Sequence, residues 1–166
     1  MTVYTLVKEL ELLPHPEGGY YKETYRSEGK IAHTCLSSDF SGDRNMATGI
    51  YFLIETGNFS ALHKIKSDET WHFYYGDALE VIEIDEKGNL IITQIGSDIL
   101  KGETFQYTVK ANTWFGSRVC NNGNFSLVGC TVYPGFDFND FELGKRHDLV
   151  QLFPQHETII TQLTRS

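Results

Sequence analysis

From Thr48 to Tyr133 the chain is a succession of short apolar and aromatic runs divided by turn residues. GIYFLIE, FSALHKI, ETWHFYY, ALEVIEI, LIITQI, TFQYTV, TWFGSRV and FSLVGCTV follow one another in that order. They recur about every 8–14 residues, are rich in β-branched and aromatic side chains, and read as strands. Nothing between them is long enough to be the crossover helix that a parallel sheet needs, so a sandwich or barrel is expected. DEKGN, between ALEVIEI and LIITQI, has the composition of a hairpin turn.

The two ends of the chain have a different pattern. TLVKELELL carries Leu6, Val7, Leu10 and Leu13 at helical spacing, with Thr2 or Thr5 as the cap and Pro14 and Pro16 as the stop. PEGGYYKETYRS then begins with a Gly-Gly turn and changes to strand character. After Pro134 a loop leads to a short helix capped by Asp148 and to a helical or extended tail broken by Pro154. The expected organisation is one domain: residues 1–19 as helix and turn, 20–134 as β-barrel, and 135–166 as loop and helical tail.

A chain of 166 residues, 40% of them hydrophobic, can bury a proper core. Its charge of −8 comes from 14 basic and 22 acidic residues, and no stripe of Lys and Arg is visible. Nucleic acid and membrane are therefore not expected as partners. No apolar run approaches the ~18 residues of a spanning helix, and the first residues lack a signal-peptide pattern. Cys35, Cys120 and Cys130 have no metal-site spacing and read as thiols packed in a reducing cytoplasm.

The chemistry-bearing stretch is HKIKSDETWHFYYG, residues 63–76. On a helix, Glu69 and His72 would share a face, but Thr70, Trp71, Phe73, Tyr74 and Tyr75 favour a strand. On a strand, Glu69, Trp71, Phe73 and Tyr75 point one way while Thr70, His72 and Tyr74 point the other. Glu69 and His72 then cannot share an ion, and His63, across the KSD turn, becomes the expected partner of Glu69.

Gly57, five residues, His63, one residue, Ile65, three residues, Glu69, six residues and Gly76 reproduce the spacing of the first cupin motif. The second motif is only echoed in VKANTWFG, with Phe115 at its histidine. HPEGGYYKETYRS, SALHKIKSDETWHFYYGD and LVGCTVYPGFDFNDFELG resemble signatures of the cupin-5 group, a domain family of unknown function. The resemblance spans nearly the whole chain. It implies an all-β double-stranded β-helix, the cupin jelly-roll barrel, with short helices at both ends, and a homodimer with a pocket inside each barrel.

Metal-binding cupins use three histidines and a glutamate; here Ile65 and Phe115 occupy two of the histidine positions. One imidazole and one carboxylate fall short of a three-ligand site, so a divalent metal at His63 and Glu69 is disfavoured and no cofactor is expected. Without a metal, an imidazole whose pKa is raised by an adjacent carboxylate is a general base near neutral pH. Some cupin-fold sugar epimerases work in this way. The first expectation is thus a cupin that binds a small polar or aromatic, sugar-like molecule and acts as a metal-independent epimerase or isomerase. His63 is its base, Glu69 orients His63, and Tyr133 is the acid chosen from Tyr51, Tyr75 and Tyr133. Tyr51, Trp71, Phe73, Trp114, Phe115 and Arg118 are the expected ligand contacts. A non-catalytic ligand-binding cupin is the alternative, and a metal-dependent enzyme comes third.

Ordinary readings stand beside these. His63 can be a satisfied core histidine, and the aromatics can be core fillers. His72 is expected on the outer face. His15, His33, His147 and His156 are assigned no chemistry, and Arg44 reads as a surface-loop charge. PEGGYYKETYRS is expected to pack across the barrel or onto a second subunit, since Gly18 and Gly19 lack the following helix of a phosphate loop.

Overall fold

The computed structural model describes residues 1–120 and 123–165; Asn121, Asn122 and Ser166, which fall within the expected barrel and tail, lie outside the described residues. Helix α1 (Val3–Glu9) leads into strands β1 (Leu13–Pro14), β2 (Tyr20–Arg26), β3 (Lys30–Ile31) and β4 (Arg44–Asn45). The long strands follow: β5 (Thr48–Glu55), β6 (Phe59–Lys64), β7 (Asp68–Gly76), β8 (Leu79–Ile84) and β9 (Leu90–Ile95). The barrel is completed by β10 (Gln106–Val109), β11 (Trp114–Val119) and β12 (Phe125–Tyr133). The chain ends with β13 (Glu142–Leu143), α2 (Arg146–Leu152) and α3 (Glu157–Gln162).

Two sheets carry the architecture. One runs β1-β2-β5-β12-β7-β10 and the other β13-β6-β11-β8-β9, with β3 and β4 paired separately. All pairings of named strands are antiparallel. Period-2 alternation puts Phe52, Trp71 and Val128 of the first sheet against Leu79, Val81 and Phe115 of the second, in one buried cluster. This is the expected all-β jelly roll, with short helices at its ends.

The helices cover the outer faces. Leu6 of α1 packs with Leu12, Leu53, Phe125 and Leu127 on the first sheet. Leu149, Ile160 and Leu163 pack with Leu62, Ile82 and Ile84 on the second. Among the described residues, no helix is long and apolar enough to cross a membrane.

The element ends show where local signals held. Thr2 caps α1, its hydroxyl accepting from the Thr5 N–H at 3.2 Å. The helix stops at Glu9, short of the prolines, because Glu11 turns to φ +55° and Leu13 pairs as strand with Tyr21. Asp148 is not the cap of α2: Lys145 precedes it, and Asp148 lies in the first turn, where a carboxylate suits the helix dipole. Arg44 is also corrected. It is buried, donating to Asp140 Oδ2 at 2.6 Å and Oδ1 at 2.7 Å, which ties the segment before β5 to the turn at Phe138–Asp140.

Candidate functional site

A cavity of about 380 Å³ opens at one end of the barrel. Strand alternation determines which side chains reach it. On β6, Ala61 and His63 face inward and Leu62 joins the outer cluster. On β7, Glu69 faces the cavity and Trp71 the core; His72 lies outside, held by Thr131 Oγ1 at 3.0 Å and Gln106 Nε2 at 2.9 Å. Cys130 and Val132 of β12 and Ile50 of β5 complete the barrel-side lining.

His63 and Glu69 thus reach the same cavity, but the carboxylate that touches His63 is Glu17. Glu17 Oε2 lies 3.0 Å from His63 Nε2, and its Oε1 lies 3.6 Å from His15 Nδ1. The backbone explains this delivery. The Ala61 N–H donates to the Glu17 carbonyl at 2.8 Å, anchoring the HPEGG segment along β6. Gly18, at φ +117°, lies so close that a Cβ there would overlap the Phe59 carbonyl oxygen. A glycine at this point lets the loop lie flat and turns Glu17 inward.

The hydrogen bonds determine the tautomers. His63 Nδ1 lies 2.7 Å from the Ala61 carbonyl, which only accepts, so Nδ1 carries the proton. In the neutral ring Nε2 is then an acceptor, and the proton between it and Glu17 resides on the carboxyl. Burial favours this arrangement. It pushes His63 down to about 4, and burial together with repulsion from Glu69 pushes Glu17 well above the usual carboxyl range. His15 accepts the Glu17 N–H at Nδ1 over 3.3 Å, and burial lowers it to about 4 as well. The expected raising of the His63 pKa by a carboxylate is therefore reversed: desolvation outweighs the pairing.

Glu69 is 8% exposed, and burial raises it to about 7, against a smaller opposing pull from a hydrogen bond with the Cys130 thiol. Of the carboxyl groups lining the cavity, this one is placed to change protonation near neutral pH. The remaining wall is aromatic. Tyr21 meets the His15 ring edge-on at 4.7 Å, and Phe138 stacks on its other side at 6.4 Å. Phe136 and Phe138, from the segment after Pro134, close the mouth beside Asp137, Glu23 and Arg26.

Several expected contacts lie elsewhere, each for a reason of parity. Tyr51, between inward Ile50 and Phe52, packs on the α1 side edge-on to Tyr74. Tyr133 follows inward Val132 and is exposed, its hydroxyl 2.7 Å from Thr70 Oγ1. Trp114 precedes inward Phe115 and packs outside beneath Lys64, whose ammonium is 4.7 Å from the ring centre. Arg118 pairs with Glu80 at 2.8 Å and Gln162 at 2.8 Å, outside the barrel. Trp71 and Phe115 are core residues behind the cavity, and Phe73 lies at the far end of β7 beside Tyr74 and Tyr75. Cys35 is exposed rather than packed.

His15, Glu17, Tyr21, Phe136 and Phe138 are among the lining residues that were not expected from the sequence. The signal for two of them was a histidine and a glutamate set between two prolines and a glycine pair. That is a rigid backbone holding polar groups, rather than a featureless turn.

The residues present do not fit a cupin metal. Phe115 fills one ligand position, its ring 4.1 Å from that of His63, and Ile65 fills another, 3% exposed. The lone pair of His63 Nε2 is already engaged by Glu17. Among the described residues, no group of three or more His, Cys, Asp or Glu side chains is arranged to hold a metal ion.

Residues 4–144 match the family model described as Cupin superfamily (DUF985). The chain belongs to this cupin family. A hypothetical protein from Leishmania major is 38% identical over the full length of both chains, with a TM-score of 0.91. Protein SO0799 of Shewanella oneidensis is 39% identical, covers 99% of this cupin and 98% of its own chain, and has a TM-score of 0.88. The uncharacterized protein YML079W of Saccharomyces cerevisiae is 28% identical over 152 residues, 86% of this chain and 75% of the yeast protein. Oxalate decarboxylase from Bacillus subtilis shares 16% identity at a TM-score of 0.55, over 90% of this chain and 36% of its own, and so shares the fold.

Proposed function

We propose that this cupin binds a small polar ring molecule in the cavity and moves a proton on it without a metal. The observation that carries this reading is the convergence of Glu17, His63 and Glu69 on one cavity of about 380 Å³, within the range of small-molecule sites. Glu69 now takes the role of base, because His63 is occupied on both ring nitrogens. Ionised Glu69 removes a proton from a carbon next to a carbonyl, and the electron pair moves to the carbonyl oxygen. The Glu17 carboxyl, which lines the same cavity, protonates that oxygen; Glu69 then returns its proton to the former carbonyl carbon while the hydroxyl of the deprotonated carbon gives its proton back to Glu17, which completes an isomerisation. The flat faces of His15, Tyr21 and Phe138 would hold the ring.

The test is deuterium exchange. Small keto- and aldo-sugars are incubated with the protein in D₂O and followed by NMR. The expected result is protein-dependent exchange next to the carbonyl, lost in Glu69→Gln while affinity for the neutral sugar stays within a few-fold. Binding without exchange in the wild type would favour the second reading, a non-catalytic binding cupin. That reading has its own support in the Glu17 carboxyl, which already has a partner in His63.

A further inference from the structure

The lining has an uneven charge. Glu17, Glu23, Glu69 and Asp137 face the cavity or its mouth, and Arg26 is the only Lys or Arg among the described lining residues. Arg26 is not free to meet a ligand anion. Its Nε and one terminal nitrogen donate to both Glu23 oxygens at 2.9 and 2.7 Å, and the other donates to Asn45 Oδ1 at 3.0 Å and the Phe136 carbonyl at 3.1 Å. Glu69 differs from the rim acids. It is more than nine-tenths buried, and among the described residues it makes no ion pair and its hydrogen-bond partner is the weakly donating Cys130 thiol. A buried carboxyl with spare acceptor capacity is costly unless something donates to it.

We infer that the ligand of this cavity is a flat ring bearing a cationic nitrogen group, an amine or amidine, which places its N–H donors on Glu69 and its face against His15 and Phe138. A cation would pair with Glu69, while Glu17 is already engaged by His63, and would find aromatic faces on the same wall. An anionic ligand, a phosphate or carboxylate, would meet four carboxyl groups and no unpaired cation. This inference rests on the reading that the cavity is a ligand site, and it does not depend on proton transfer taking place there.

The experiment uses three probes of one shape and different charge: benzamidine, benzamide and benzoate, titrated into the full chain by calorimetry. Benzamidine should bind at least about tenfold more tightly than benzamide, and benzoate more weakly than both. Glu69→Gln should reduce the benzamidine advantage to less than about threefold. Glu23→Gln, at the half-exposed mouth, gives a smaller reduction and guards against a folding failure of the buried variant; circular dichroism verifies both. Equal binding of benzamidine and benzamide, preferential binding of benzoate, or no binding of any probe each overturns the inference. Deuterium exchange is read separately, so a cation-selective cavity without exchange retires the catalytic reading alone. Exchange on a neutral sugar without cation preference retires this one alone.

Discussion

Glu17 Oε2 and His63 Nε2 lie 3.0 Å apart inside the barrel, although their positions in the chain are separated by β2, β3, β4, β5 and most of β6. The contact links the loop before β2 to the strand that carries the first cupin motif. Its chemistry is that of a neutral hydrogen bond, the proton resting on the carboxyl, because both groups are desolvated.

Removing the donor should cost more than exchanging it. Glu17→Ala leaves His63 Nε2 buried without a partner and is expected to destabilise the fold by about 1–3 kcal/mol. Glu17→Gln retains an N–H for that nitrogen and should cost clearly less. Urea unfolding of both variants measures the difference, and equal stabilities would show that the contact contributes nothing.

Glu69 imposes a pH dependence whose sign can be worked out. A carboxyl raised to about 7 in the folded state binds more protons there than in the unfolded chain, where 4.5 applies. Its contribution is complete below 4.5 and is lost as pH rises to about 7. The stability of wild type relative to Glu69→Gln should therefore fall across that window, by at most about 1.4 kcal/mol per pH unit, and then level off. The subtraction matters because His15 and His63, both lowered to about 4, contribute with the opposite sign between about 4 and 6.5. A difference curve that rises with pH would contradict the assignment.

Gly18 and Gly57 provide a matched comparison. Both have positive φ, +117° and +87°, but a Cβ at Gly57 meets nothing within 4 Å, whereas at Gly18 it runs into backbone. Gly57→Ala should cost about 1–2 kcal/mol of backbone strain. Gly18→Ala should cost more, and it should also weaken ligand binding by displacing Glu17. Thermal unfolding with a ligand titration tests both effects; equal losses would mean that the close approach is relieved easily.

The missing histidines can be restored. Ile65→His with Phe115→His rebuilds the metal-cupin ligand set around His63 and Glu69, and the double variant should gain a melting-temperature increase with Ni²⁺ or Zn²⁺ that EDTA reverses. Wild type should show neither response. Stoichiometric metal in purified wild-type protein would overturn the argument that Ile65 and Phe115 close this site.

Much of the barrel was legible because a strand reports its two faces through alternation. The inward Glu69, Trp71 and Phe73, the outward His72 and the DEKGN hairpin follow from residue types over a few positions, whereas Tyr75, expected on the inward face, is exposed because the register opposite it slips between Leu127 and Val128. DEKGN closes through the Asp85 N–H to the Asn89 carbonyl at 3.0 Å, with Gly88 at φ +77°. Tyr51, Trp114, Arg118 and Tyr133 have side chains suited to a ligand, but the parity of each strand turns them away from this cavity.

By itself the sequence determined the strand succession, the family signatures and the absence of two metal-ligand histidines, all properties of residues near one another in the chain. Only the tertiary structure decided that Glu17, not Glu69, contacts His63, and that Glu69 is left facing an open cavity. The cause is long-range: a glycine-permitted close approach lays the HPEGG loop on β6. Burial then determines which of the converging groups keeps its proton. Desolvation depends on everything packed around a group, and no local stretch of sequence encodes it.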